Sequence, residues 1–310
     1  MNTTYTHIGE VISFLRKKKR LSQEECANGV CTREYLIKIE KGQTYPTTII
    51  LNGLCNTLGI DIYEEYALIL RHGGFERHNM ITELNNGFSY ETEQQLPALI
   101  EKCENLFPNC DGELYQYLCY AKAICAMDIE DTPTLAQEYA LRGILSHHPS
   151  YTLDTVLTSH TLSNIDLSLI YYYITCLCES SDKSPTIVAY YNLYQYLILL
   201  LNTSNYIVHK KYHFEINLLT SVVINMIHYN TTEIPISELY IIVCKTIDVK
   251  KTYHYSNAIS NLLFDKCYLC HKLGYMEEYN ETLHYALSLS EFYLGKEKTQ
   301  RLQSWLFSKI

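Results

Sequence analysis

The sequence predicts an all-α protein in two parts: a short basic head and a long acidic helical body. Three observations carry that expectation. Only 7 Pro and 12 Gly interrupt 310 residues, so breakers are few. Apolar residues, 47% of the chain, recur at helical spacing almost throughout. The charge is also divided. Residues 1–50 hold eight Lys/Arg against five acids and the remainder seventeen against twenty-nine, within a net charge of −9. A basic head on an acidic body suggests parts with different partners. A composition that is 19% charged and 12% aromatic excludes a disordered chain.

In the head, Ile8, Ile12 and Leu15, with Val11 beside them, predict an amphipathic helix over 7–19. It ends in "RKKKR", a run that suits both a solvated helix C-terminus and contact with phosphate. Ser22 and Glu25 have capping-box spacing and open a second helix, Gln23 to about Asn28, which Gly29 ends. Thr32 caps a third helix reaching Glu40 or Lys41, with Gly42 as its stop. Leu36 and Ile39 face inward with Ala27, whose size lets the two helices approach. Thr32, Arg33 and Glu34 then stand on an exposed first turn, with Lys38 a turn later. A hydroxyl, a guanidinium and a carboxylate so placed suit the base edges of a major groove. The competing reading is a helical hairpin with no DNA role. Pro46 and Thr47 start a fourth helix, with Leu51, Leu54, Cys55 and Leu58 inward, and a fifth follows Gly59 near Ile62.

"LSQEECA", "IEKGQTYPT" and "LNGLCNTLGI" together resemble the Xre, or lambda-repressor-like, helix-turn-helix family over about residues 8–65. The resemblance implies a five-helix DNA-binding domain, assigned to residues 1–68. It also implies that Gln23 contacts phosphate, that Thr32, Arg33, Glu34 and Lys38 face double-stranded operator DNA, and that Arg16 and Glu40 form an internal ion pair. From Gln23 to Glu40 the chain is one residue shorter than the common pattern, and here it resembles the variant of the Rgg/PlcR-type peptide-pheromone receptors.

"RHGGFERHN" reads as a linker, set at 69–80. In the body, 81–310, helical patterns fall at about 91–106, 113–127, 134–146, 152–162, 166–179, 186–202, 207–229, 236–248, 253–273, 276–293 and 296–308. Short breaks such as "FPNCDG", "IEDTP", "SSDKSP" and "NTTEIP" separate them. Many helices with short connections suggest stacked helix pairs. In "LCHKLGYMEEYNETLHYALSL" a Leu-Gly precedes Ala286 by the small-residue spacing of a tetratricopeptide repeat, and "TLAQEYALRGI" shares its Tyr-Ala-Leu. The expected body is a degenerate tetratricopeptide-like helical superhelix. A head and body of this kind and length resemble the Rgg/PlcR/PrgX group. That resemblance implies a quorum-sensing regulator that forms a homodimer and holds a short signalling peptide in its helical groove.

An extended peptide needs its backbone amides satisfied, and Asn both donates and accepts. Asn217, Ser221 and Asn225 recur at i, i+4 and i+8, Asn257 and Asn261 are one turn apart, and Asn192 lies with Gln195 beside Tyr191. These are the candidate peptide-binding residues; a solvated face or core hydrogen bonding is the alternative for each. Cys267-Tyr-Leu-Cys270-His271 spells a haem-attachment pattern, but that chemistry needs export and the N-terminus shows no signal peptide. Cys176 and Cys178 point to opposite sides of a helix and lack a second pair for zinc. The twelve Cys therefore read as reduced thiols of a cytoplasmic protein, with no cofactor, metal or membrane span expected. There is no phosphate loop and no nucleophile motif, so an enzyme is not expected. The alternative function is a plain Xre-type repressor of a phage or mobile element, whose body only oligomerises or binds a protein.

Overall fold

The computed structural model describes residues 7–89, 92–155, 157, 162–180, 184–203, 213–230, 232–252 and 258–310. Every described regular element is helical. The chain divides into two compact units, Met1–Leu114 and Tyr115–Ile310.

The first unit opens with α1 (Ile8–Lys18), α2 (Gln23–Ala27), α3 (Arg33–Glu40), α4 (Thr48–Leu58) and α5 (Ile62–Arg71). Local chemistry sets their starts. Ser22 Oγ accepts the Glu25 amide at 3.1 Å while Glu25 Oε2 accepts the Ser22 amide at 2.7 Å, completing the capping box. Thr32, Thr47 and Asp61 cap α3, α4 and α5. Val11, Ile12, Leu15, Leu36, Ile39, Leu54, Leu58, Ile62 and Ile69 are fully buried in one core. This is the five-helix head that the periodicity predicts.

The stretch read as a linker is different. Gly73 and Gly74 take φ of 81° and 117°, so the chain reverses within two residues. Helix α6 (Phe75–Asn86) follows immediately and buries Met80, Ile81 and Leu84. Then come α7 (Leu96–Leu106) and α8 (Gly112–Ile124), in which the division between the units falls. Ion pairs of Arg71 with Glu113 and of Arg77 with Asp111 tie the first turn of α8 and the loop before it to α5 and α6 within the first unit.

In the second unit α8 runs into a π-helical turn at Cys125–Ile129. It is followed by α9 (Pro133–His147), α10 (Asn164–Ser180), α11 (Ser184–Thr203), α12 (His213–Tyr229), α13 (Ile236–Thr252), α14 (Ile259–Leu273) and α15 (Met276–Lys309). The expected helix over 152–162 is not found in its described part: 151–155 form a turn, closed by Thr155 N–H donating to the Thr152 carbonyl at 3.0 Å. Positions 156 and 158–161 lie outside the described residues. The expected break near Gly295 is present, with φ 79° and ψ 168° inside α15. From α9 on, consecutive helices pack as neighbours, and α12 also touches α10 and α14, so these three form one row of the stack. One large core runs through α8–α14, and a smaller one joins α14 to α15.

The cysteines of the two weighed motifs settle into these cores. Cys267 and Cys270 pack with Phe264 and Ala286 against α15, and burial pushes their thiols up to about 12 and about 11. Cys176 packs with Ala126 and Ala136, while Cys178 joins the main core. Among the described residues no group of three or more His, Cys, Asp or Glu suits a metal ion, and no helix is long and apolar enough to cross a membrane.

Candidate functional site

The candidate DNA-reading surface is built by α2 and α3. Leu36 and Ile39 are buried on one side of α3. Helical geometry therefore turns Arg33, Glu34 and Lys38 outward, and all three are exposed. Thr32 is exposed too, but its Oγ1 accepts the Tyr35 amide at 3.2 Å, so its hydroxyl is engaged as the helix cap.

Beneath this surface lies a polar clamp. Arg16 Nε donates to Glu40 Oε1 at 2.6 Å and Nη2 to Oε2 at 3.1 Å, while Nη1 donates to the Leu21 carbonyl at 2.8 Å. The fork-to-fork pair is the one expected between these residues. Its hydrogen bonds to Glu40 raise the Arg16 pKa further, so the guanidinium stays charged. Gln23 Nε2 also donates to Glu40 Oε2, at 2.7 Å. The clamp thus locks α1, α2 and α3 together, and Gln23, expected at phosphate, has its amide donor engaged within it.

Two exposed side chains beside α3 escaped the periodicity. Tyr45 and Ile49 are 78% and 83% exposed, in the α3–α4 loop and the first turn of α4. Tyr35 OH donates to the Tyr45 carbonyl at 3.3 Å, which ties that loop to α3. The only sequence signal for them is that both are large apolar residues off the inward spacing.

Two short helices joined at Gly29 (φ 73°), the second with a polar outward face and a buried anchor, are the geometry of a helix-turn-helix. Residues 12–64 match the helix-turn-helix family HTH_3. The helix-turn-helix domain accounts for about a sixth of the chain, and the whole chain has its own structural likenesses. Bacillus thuringiensis PlcR, solved with the peptide PapR7 and DNA, superposes with a TM-score of 0.60 at 15% identity, over 96% of this chain and 98% of that one. The Streptococcus dysgalactiae SHP pheromone receptor Rgg2 does so with a TM-score of 0.53 at 14% identity, over 97% and 100%. At such identities the likeness is one of fold, and it spans the helix-turn-helix domain and the helical stack together. No curated protein matches the chain in sequence.

The candidate peptide residues fall in different places. Asn217, Ser221 and Asn225 lie half-buried along α12, and Asn261 lies half-buried on α14, in the same row of helices. Asn192 is half-buried on α11, outside that row, and Asn257 lies outside the described residues. Asn225 is bound into the stack: its Nδ2 donates to Tyr190 OH at 2.9 Å and Tyr171 OH at 3.1 Å. Thr175 Oγ1 is 2.8 Å from Tyr190 OH, and Ser221 bonds to Tyr171. Burial pushes both phenols up, so they stay neutral and serve as hydrogen-bond partners. This network pins α10, α11 and α12 to one another, and Asn225 has the core role weighed against recognition.

Proposed function

We propose that this protein is a peptide-responsive transcription regulator: the helix-turn-helix reads operator DNA, and the row α10–α12–α14 holds a short signalling peptide. The observation that carries the reading is the whole-chain fold shared with PlcR, a protein solved with both a peptide and DNA, joined to an exposed Arg33–Glu34 turn on α3. In this reading Arg33, Glu34 and Lys38 reach base edges and phosphates, Thr32 orders the turn, and Gln23 acts through Glu40. The working form is a cytoplasmic homodimer, since paired half-sites about one helical turn apart match two-fold symmetry.

Arg33→Ala is expected to weaken specific binding by about 1–3 kcal/mol, one good base contact, with the melting temperature unchanged. Fluorescence anisotropy on the operator and on a scrambled duplex checks it. Equal loss on both would make Arg33 a phosphate contact instead.

For the peptide, Asn217, Ser221 and Asn261 supply the amide and hydroxyl groups along the row, and Asn225 holds the row together. The test is calorimetric titration with a synthetic peptide matching the C-terminus of a small secreted product encoded beside the gene. Saturable binding is expected, and Asn261→Ala should weaken it about tenfold, one hydrogen bond to a backbone amide. Asn225→Ala should instead lower the melting temperature. A chain that binds its operator but no such peptide would be the plain repressor.

A further inference from the structure

One buried polar cluster of the first unit has no part in reading DNA or peptide. The two-glycine turn after α5 brings His72 and His78 together, 9% and 5% exposed. Their Nδ1 atoms are 3.0 Å apart. The ring centroids stand 5.1 Å apart with the planes inclined by 23°. The centroid distance exceeds the N···N distance by nearly two ring radii, so the rings meet edge to edge, nitrogen against nitrogen. That approach requires one N–H and one lone pair. Two nitrogens sharing an ion head-on would stand about 4 Å apart, so the spacing fits a proton and not a metal.

The outer nitrogens decide which ring donates. His78 Nε2 lies 3.1 Å from Glu65 Oε1, so it carries a proton and donates to that carboxylate. His72 Nε2 is 3.6 Å from Glu113 Oε2, beyond hydrogen-bonding distance, and Glu113 is already held by both nitrogens of the Arg71 fork. With both rings neutral, His72 is protonated on Nδ1 and His78 on Nε2. The bond runs from His72 Nδ1–H to His78 Nδ1, and on to Glu65.

We propose that His72 and His78 form a proton-operated latch, which joins the end of α5 to α6 while both rings are neutral and opens when acid puts N–H against N–H. A single proton leaves the bond in place, because a neutral His72 can carry its hydrogen on Nε2, on the Glu113 side, and accept on Nδ1. With both rings cationic neither Nδ1 can accept, and the rings must separate. The charged groups facing His72 are Glu113, Arg71 and Glu65. Burial pushes the His72 pKa down, with Arg71 and His78 acting in the same direction against the two carboxylates. His72 therefore takes up its proton more readily in the unfolded chain than in the folded one. Stability from this group is complete above the ordinary histidine range of about 6.5 and is lost as the pH falls below it. Opening would free the α5–α6 turn, the C-terminal edge of the DNA-binding head, so this unit would loosen under acid.

The test is long-range proton–nitrogen NMR of the full chain labelled at histidine, with signals assigned through His72→Gln and His78→Gln. At pH 7.5 one of the two rings should be protonated on Nδ1 and the other on Nε2, and both patterns should be lost as the pH is lowered through the acid range below about 6.5. Two rings both protonated on Nε2, or either one cationic at pH 7.5, would overturn the proposal. Melting temperature gives a second readout. It should fall further between pH 7.5 and 5.5 in the native chain than in His72→Gln, whose amide donates but does not titrate. Equal falls would also overturn it. If that variant does not fold, the tautomer pattern of the native chain still decides.

Discussion

Glu40→Ala should destabilise the helix-turn-helix head by about 3–5 kcal/mol, the usual cost of removing one partner from a buried ion pair. The side chains of Arg16 and Glu40 are only 10% and 6% exposed. Alanine would leave the Arg16 guanidinium in place with the Leu21 carbonyl as its remaining partner, and would release the Gln23 amide as well. The burden falls on the variant because the charge that stays behind has lost its counter-ion, not because the pair itself contributes that much. Urea unfolding followed by near-UV circular dichroism measures the loss. The double variant Arg16→Met with Glu40→Leu supplies the contrast. With both charges gone and the volume roughly kept, most of the stability should return. If the double variant is as unstable as Glu40→Ala, packing and not the orphaned charge is what the carboxylate provides. DNA affinity should follow a different order. The clamp fixes α3 against α2, so both variants should bind operator more weakly than their folded fraction predicts.

The head was legible from its residues because its signals are local. Capping residues, a glycine at the helix 2–3 turn and a 3.6-residue apolar repeat each act within a few positions, and each helix start they imply is found within a residue or two. The outward face of α3 followed from the same periodicity: with Leu36 and Ile39 inward, Arg33 and Lys38 had to point outward. What failed to show was tertiary. Gly73–Gly74 looked like the start of a linker because glycine pairs break helices. The sequence carries no mark that Met80, Ile81 and Leu84, six to ten residues beyond the turn, have a core waiting for them. Asn225 had the spacing of a recognition stripe, yet its partners are tyrosines 35 and 54 positions away, which no local pattern reveals. Gln23, expected at phosphate through resemblance, gives one amide N–H to Glu40, 17 residues on, a contact that no local pattern reveals. Arg16 and Glu40, by contrast, were expected as a pair through resemblance alone, since 24 residues separate them.

Gly9 shows the same limit at its sharpest, and replacing it should have the other large effect. It falls in the first turn of the amphipathic helix expected over 7–19. In the fold it is the point where α1 meets the end of α3: a Cβ built there would lie 1.8 Å from the Ile39 carbonyl oxygen and 2.7 Å from its carbon. Both are backbone atoms, so no side chain can swing aside. Gly9→Ala has to push α1 away from α3 by more than an ångström. Yet Val11, Ile12, Leu15, Leu36 and Ile39, fully buried around the contact, have no slack for it. Overpacking ordinarily costs about 1–3 kcal/mol, and a clash of backbone on backbone belongs at or above the top of that range. Alanine's better helix propensity returns only about 1 kcal/mol, so the net change remains destabilising. Thermal unfolding of Gly9→Ala should show it, with Gly29→Ala as the comparison: Gly29 also loses its freedom at positive φ, but a Cβ there meets nothing within 4 Å. Both variants should melt lower, yet only Gly9→Ala moves the reading helix, since Ile39 sits between Lys38 and the clamp residue Glu40. Its operator affinity should therefore fall at temperatures where the head is still folded, whereas Gly29→Ala should bind normally until it melts. Equal operator affinity in the two folded variants would mean that α1 yields without carrying α3, and that the close approach at Gly9 matters for stability alone.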